Sequence, residues 1–199
     1  TAPNSSWKGD RPAGLEAGRL LRQRGHDVVV LDKGRGPGGR MSSRRGSGAV
    51  RLDHGCQFLS FPEGTEASVR DSWCAAGVAA PWRPVLGPGS GQPHLAGDDW
   101  LIGMPTMSAI PKHLARDLDV RCRHRITALE PGDTGWLLRD DEGVVRLRAK
   151  RVLLAIPAPQ AAALLEPVGF TGLDLLASVV YQANWTLLVD GEDLPAAEF

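Results

Sequence analysis

Asp32, Gly38, Gly39 and Arg40 stand close together in the run Leu31-Asp32-Lys33-Gly34-Arg35-Gly36-Pro37-Gly38-Gly39-Arg40-Met41. Each residue type there has a chemical use. A carboxylate at the carboxyl end of a parallel strand accepts hydrogen bonds from both hydroxyls of a ribose. Glycines carry no Cβ, so their backbone can come close to a phosphate. An arginine beside them offers a planar fork that matches phosphate oxygens. The set therefore fits a ribose and its phosphates. A glycine-rich surface loop after an ordinary strand accounts for the same residues, because short motifs of this kind recur by chance.

Such a set needs elements to hold it. Val28, Val29, Val30 and Leu31 form a continuous apolar run, three of the four β-branched. That run predicts a strand buried on both faces, as in a parallel sheet. Ahead of it, residues 12–24 predict a helix, with Pro12 in its first turn and Gly25 as the stop. Ala13, Ala17 and Leu21 share one face at a spacing of four, and Gly14 and Gly18 would let that face lie close to a sheet. Gly14 precedes Asp32 by 18 residues, near the roughly 20 between a dinucleotide fingerprint and its ribose acid. The fingerprint itself is damaged. Between Gly9 and Gly14, Arg11 stands where G-x-G-x-x-G needs its middle glycine, and Asn4-Ser5-Ser6-Trp7-Lys8 is no apolar strand. The expectation is weak retention of a dinucleotide.

Composition narrows the choice of partner. Lysine plus arginine equals aspartate plus glutamate at 23 each, so charge balance points neither to nucleic acid nor to an anionic membrane surface. No apolar run approaches spanning length, and residues 1–8 lack the charged and apolar regions of a signal peptide. Cys56, Cys74 and Cys122 are odd in number and far apart. They predict neither a disulfide framework nor a metal site, and fit a reducing cytoplasm. The chain does not begin with Met and stops soon after a strand-like run, so it reads as an incomplete segment. Composition itself names no partner, so a small-molecule substrate enters only with a family resemblance; the oligomeric state is not legible.

Further along, residues 50–58 alternate and then gather His54, Gly55, Gln57 and Phe58; a surface or satisfied core histidine is the ordinary account of His54. Residues 68–76 predict a short helix, and residues 81–97 a Pro- and Gly-rich excursion flanked by Trp73, Trp82 and Trp100. Those tryptophans either line a pocket or fill a small core. Ser108 is a candidate N-cap for a helix carrying Ile110, Leu114 and Leu118 on one face. Residues 120–129 predict a strand, and residues 136–138 and 144–149 a hairpin. Residues 152–156 predict a second continuous buried strand, closed by Pro157. A helix follows over 159–165, and then a strand over 181–189. No Ser-His-Asp pattern, C-x-x-C, H-E-x-x-H or Walker loop occurs, and no general base stands out.

Together these residues resemble the FAD-dependent amine oxidase superfamily, and within it the renalase-like bacterial branch. The acid-then-Gly38-Gly39-Arg40-Met41-Ser42-Ser43-Arg44 run is similar to the flavin segment of that superfamily. Leu52-Asp53-His54-Gly55-Cys56-Gln57-Phe58 is similar to its D-x-G-A-Q-Y/F segment, with Cys56 where alanine is usual. Gly103-Met104-Pro105-Thr106-Met107-Ser108-Ala109 and Leu153-Leu154-Ala155-Ile156-Pro157-Ala158-Pro159-Gln160 match further landmarks in order. The resemblance runs from about Gly9 to Leu188; the first strand, the middle glycine and the C-terminal part of the family pattern are missing.

The resemblance implies an α/β fold, with a Rossmann-like FAD-binding domain and an inserted, partly truncated α+β substrate domain. Residues 1–58 and 101–165 would form the FAD domain, and residues 59–100 and 166–199 the substrate domain. It implies an FAD-dependent oxidoreductase in which a small reduced substrate gives hydride to flavin and oxygen takes the electrons. For renalase-like members the substrates are isomeric dihydronicotinamides, which need no strong base. Gly9, Gly14, Asp32, Lys33, Gly38, Gly39, Arg40 and Met41 would contact the cofactor, Asp32 at the adenosine ribose and Gly38, Gly39 and Arg40 at the pyrophosphate. Ile126 would meet the adenine through its backbone, and His54, Gly55, Gln57 and Phe58 would lie near the isoalloxazine. The catalytic residue stays unassigned. The alternatives are another FAD amine oxidase or desaturase, or a non-catalytic fragment with a degenerate nucleotide site.

Overall fold

The structure, a computed structural model, describes residues 12–61, 67–82, 100–183 and 185–189. In chain order the elements are α1 (Ala13–Gln23), β1 (Val29–Asp32), β2 (Ser43–Arg45), β3 (Arg51–Asp53), α2 (Ala67–Ala75), β4 (Ala79–Pro81), β5 (Leu101–Gly103), α3 (Ala109–Leu114), β6 (Asp119–Cys122), β7 (Ile126–Gly132), β8 (Gly135–Asp140), β9 (Val145–Ala149), α4 (Ala158–Leu165) and α5 (Leu173–Ala177). The fold is mixed α/β. It divides into two compact units, Ala13–Gly36 with Asp117–Trp185, and Pro37–Arg116 with residues 12 and 186–189. Residues 37–58 and 101–116 thus share a unit with 59–61, 67–82 and 100.

In the first unit, β1 pairs in parallel with β6, Val29 opposite Asp119 and Asp32 opposite Cys122. The strand is half-buried throughout rather than fully buried as its apolar run predicted. Helix α1 covers it. The helix ends at Gly25 (φ 82°), where the Gly25 N–H donates to Arg22 O and the His26 N–H to Leu21 O. Those two bonds close the last turn, and the positive φ explains the glycine. The buried face of α1 holds Leu15 and Gly18, while Ala13 at the head of the expected row is exposed. Gly18 sets that choice: a Cβ there would lie 3.2 Å from Leu118 Cδ1 and 3.4 Å from Val30 Cγ2. A Cβ on Gly14 would likewise lie 3.1 Å from the Ala155 Cβ.

The strand expected over 120–129 breaks in two. Arg123 takes φ 61°, and the N–H groups of Arg123 and His124 turn to Gly34 O and Asp32 O. Beyond the break, β7, β8 and β9 form an antiparallel meander that includes the expected hairpin. Leu129 and Leu138 of that sheet bury against Leu164 of α4, with Leu31, Val152 and Leu154 packed around them.

Two expected strands do not form. Residues 152–156 have no strand pairing among the described residues. Val152 and Leu154 face the core, but Leu153 is 64% exposed; a run apolar on both faces becomes a buried strand only where neighbours cover both faces. Residues 181–183 and 185–189 are likewise irregular, and all of them but the half-buried Leu188 are exposed. A short helix, α5, stands between these segments, unanticipated.

In the second unit, β2 and β3 form an antiparallel hairpin with Ser43 opposite Asp53, and β4 pairs with β5. Helix α2 forms where the sequence predicts it. Trp73, Trp100, Leu101, Met107, Ile110 and Leu114 are buried. Ser108 stands at the N-cap of α3 without a side-chain cap bond; its hydroxyl pairs with Thr106 Oγ1 at 2.9 Å instead. Helix α3 stops at Leu114, so Leu118 does not share its face. Most of the excursion over 81–97 lies outside the described residues.

Candidate functional site

Gly14, Asp32, Lys33 and Ile126 belong to the first unit; Gly38, Gly39, Arg40, Met41, His54, Gly55, Gln57 and Phe58 belong to the second. Gly9 and the damaged stretch through Arg11 lie outside the described residues.

Asp32 is half-buried at the carboxyl end of β1, where a parallel strand delivers it. Its Oδ1 accepts the Gly34 N–H at 2.7 Å, which fixes the carboxylate at the start of the loop. Its carbonyl accepts the His124 N–H at 3.0 Å, and two residues further on Ile126 opens β7. The break at Arg123 thus ties the Asp32 end to the chain leading into Ile126. Across the strand pair, burial pushes the Cys122 thiol pKa up, and the Asp32 charge adds to it against a smaller opposing effect of Arg123. Lys33 points outward, its Nζ 3.2 Å from Gln160 Oε1. Gly14 lies in the first turns of α1 as a packing glycine against Ala155.

In the second unit, Gly38 takes φ 131° and Gly39 φ 51°, a backbone that L side chains rarely adopt. A Cβ on Gly38 would also sit 2.9 Å from Pro111 Cγ. Gly39–Met41 then makes one 3-10 turn, with Met41 N–H on Gly38 O at 2.9 Å and Ser42 N–H on Gly39 O at 3.1 Å. Met41 is buried, while Gly39 and Arg40 are exposed. The turn leaves backbone bare of side chains next to an outward arginine, a cradle that suits an anionic oxygen.

The second glycine segment closes on the same turn. Cys56 N–H donates to Arg40 O at 2.8 Å, and a Cβ on Gly55 would overlap that carbonyl. His54 is half-buried, and its Nδ1 has no hydrogen-bond partner among the described residues, a costly arrangement that a ligand acceptor or donor would relieve. Gln57 is exposed. Phe58 stacks on Trp100 with ring centroids 4.1 Å apart and planes 10° apart, and Trp82 tilts against both at 5.7 Å. Trp82 and Trp100 thus belong to a ring cluster with Phe58, an outcome their separation in sequence did not signal. Ser43 and Asp53, also missed as site residues, hold this segment in place; the acid one position before His-Gly was the available signal.

A parallel strand that ends in a carboxylate lies in one unit, and a glycine turn next to an exposed arginine lies in the other. The NAD(P)-binding Rossmann-like domain family matches residues 12–71. The match covers under a third of the chain, and over those residues the chain is similar to a Rossmann-like domain found in oxidoreductases. Among the described residues no helix is long and apolar enough to cross a membrane.

Proposed function

We propose that the protein is an FAD-dependent oxidoreductase, with a renalase-like small reduced substrate of the dihydronicotinamide class and oxygen as the electron acceptor. The observation that carries this reading is Asp32, half-buried at the carboxyl end of a parallel strand inside the matched segment. A carboxylate there favours a free ribose and repels a 2′-phosphate, which disfavours NADP. The resemblance of the Gly38-Gly39-Arg40 turn to a flavin segment favours FAD among the dinucleotides that remain.

Each unit carries residues suited to part of that group. Asp32 would accept the ribose hydroxyls, with Lys33 and Gly14 beside it and the Ile126 backbone at the adenine. The Gly38 and Gly39 backbone, Arg40 and Met41 would hold the pyrophosphate. His54, Gly55, Gln57 and Phe58 would border the ring, and the unpartnered Nδ1 of His54 supports a polar contact there. Bound flavin supplies the hydride acceptor; the protein binds and orients it. Residues 1–58 and 101–165 would serve the cofactor, residues 59–100 and 166–199 the substrate, in the cytoplasm.

Equilibrium dialysis of the purified chain against FAD, FMN, NAD and NADP tests the reading. FAD should bind tightest. Preference for NADP, or no uptake of any dinucleotide, would sink it.

A further inference from the structure

We propose that the Asp53 carboxylate is a positioning residue for the turn at Gly38, Gly39 and Arg40, holding the backbone that dinucleotide phosphates would meet. The inference rests on reading that turn as the phosphate site.

Asp53 is half-buried at the end of β3 and bonds in two directions. Its Oδ1 accepts the Ser43 hydroxyl at 2.5 Å, and its Oδ2 accepts the Met107 N–H at 3.0 Å. Ser43 in turn accepts the Ser108 N–H at 3.3 Å. Each arm leads to the turn. Ser43 opens β2 two residues after the 3-10 turn ends at Met41. Met107 and Ser108 immediately precede α3, whose Pro111 lies against Gly38 so closely that a Cβ there would have 2.9 Å. Along its own chain Asp53 leads through His54 and Gly55 to Cys56, whose N–H holds the Arg40 carbonyl at 2.8 Å.

One carboxylate therefore ties together the segments that meet the turn before it, after it and at its carbonyl. A hydroxyl or amide contact to a carboxylate is stronger than a neutral one, and backbone placed this way needs no reorganisation when an anion arrives. The fold by itself explains a hairpin; it does not require that a single side chain join the β2–β3 hairpin to the residues leading into α3.

The test uses the full chain, with Asp53→Ala and Asp53→Asn. Asn keeps one acceptor, enough for one arm but not both, so its effect should fall between wild type and Ala. Amide hydrogen exchange at Met41, Ser42 and Cys56 should speed up about tenfold or more in Asp53→Ala, as expected for losing a charged hydrogen bond. The Val78 amide, bonded to Trp73 O, should keep its rate. FAD affinity should fall about 10- to 100-fold in Ala and less in Asn. Should Asp53→Ala not fold, Asp53→Asn decides the question through the same amides.

Unchanged exchange at Met41, Ser42 and Cys56 in both variants overturns the proposal. So does acceleration that Val78 shares equally, since that reports global loosening. A wild-type chain that takes up no dinucleotide overturns the phosphate reading, and the exchange pattern then decides separately whether Asp53 holds the turn.

Discussion

The Cα of Gly55 lies directly against the carbonyl oxygen of Arg40, so close that no side chain fits between them. Two sequence segments separated by the β2–β3 hairpin are thereby joined backbone to backbone, and the Cys56 N–H seals the contact. Gly55→Ala should therefore push the Arg40 turn away. Steric insertion of this kind costs about 1–3 kcal/mol. Gly36→Ala is the control, since a Cβ there meets nothing within 4 Å. Denaturant unfolding of both variants checks this, and equal stabilities would show that the Arg40 carbonyl is not where the structure puts it.

Arg40 and Arg44 are both exposed arginines, yet only Arg40 directly follows the paired glycines of the turn. Removing a charge-assisted phosphate contact costs about 1.5–3 kcal/mol, whereas truncating a solvated arginine costs under about 0.5 kcal/mol. Arg40→Ala should thus weaken FAD binding far more than Arg44→Ala in a fluorescence titration. Similar losses from both would mean that the turn attracts anions only by general charge.

The Asp32–Cys122 pairing across β1 and β6 gives a second handle on the ribose end. Burial first, and the Asp32 charge second, hold the Cys122 thiol pKa above its ordinary value, which keeps it protonated and slow to alkylate. Asp32→Asn removes the second cause and leaves the first. The thiol pKa should fall, with burial still raising it and Arg123 still lowering it, and alkylation of Cys122 at pH 8 should quicken. The same substitution should weaken dinucleotide binding, so one variant reports both the geometry and the proposed ribose contact. No change in alkylation rate, followed by mass spectrometry at Cys122, would separate the two residues.

Much of the fold was legible because the signals were local. Gly14 and Gly18 announced a helix lying close to its neighbours, Gly25 announced its stop, and the Val-rich run ending in Asp32 announced the parallel strand. The polar run 140–143 between apolar segments announced the hairpin. What failed was non-local. Nothing in residues 120–129 marks Arg123 as a break, because the break comes from N–H groups drawn to Gly34 and Asp32 far away in sequence. Residues 152–156 have strand composition, but pairing and cover on both faces depend on neighbours that composition does not report. The candidate site followed the same rule. Asp32 and the glycine turn stand out by residue type, while the part played by Asp53 emerges only when Ser43 and Met107 are seen bonded to it.

The last expectation concerns acid stability and the β8–β9 turn. Asp140 is buried, and burial alone would raise its pKa. Its hydrogen bonds reverse that: Oδ2 accepts from Arg146, and Oδ1 accepts the Val144 N–H at 2.9 Å and the Glu142 N–H at 3.0 Å. The net effect holds the carboxyl below its ordinary value. A group whose folded pKa is depressed contributes stability above its unfolded pKa, about 3.9 for Asp, and loses that contribution as pH falls through the folded value. Wild type should therefore lose stability as pH drops below about 4. Asp140→Asn should be less stable at pH 7, where Arg146 loses one of its two carboxylate partners and keeps Glu142, and should show a shallower decline in acid. Urea midpoints of both proteins from pH 7 down to pH 2 read this directly. Parallel curves across that range would show that the Asp140 charge is not what closes the turn.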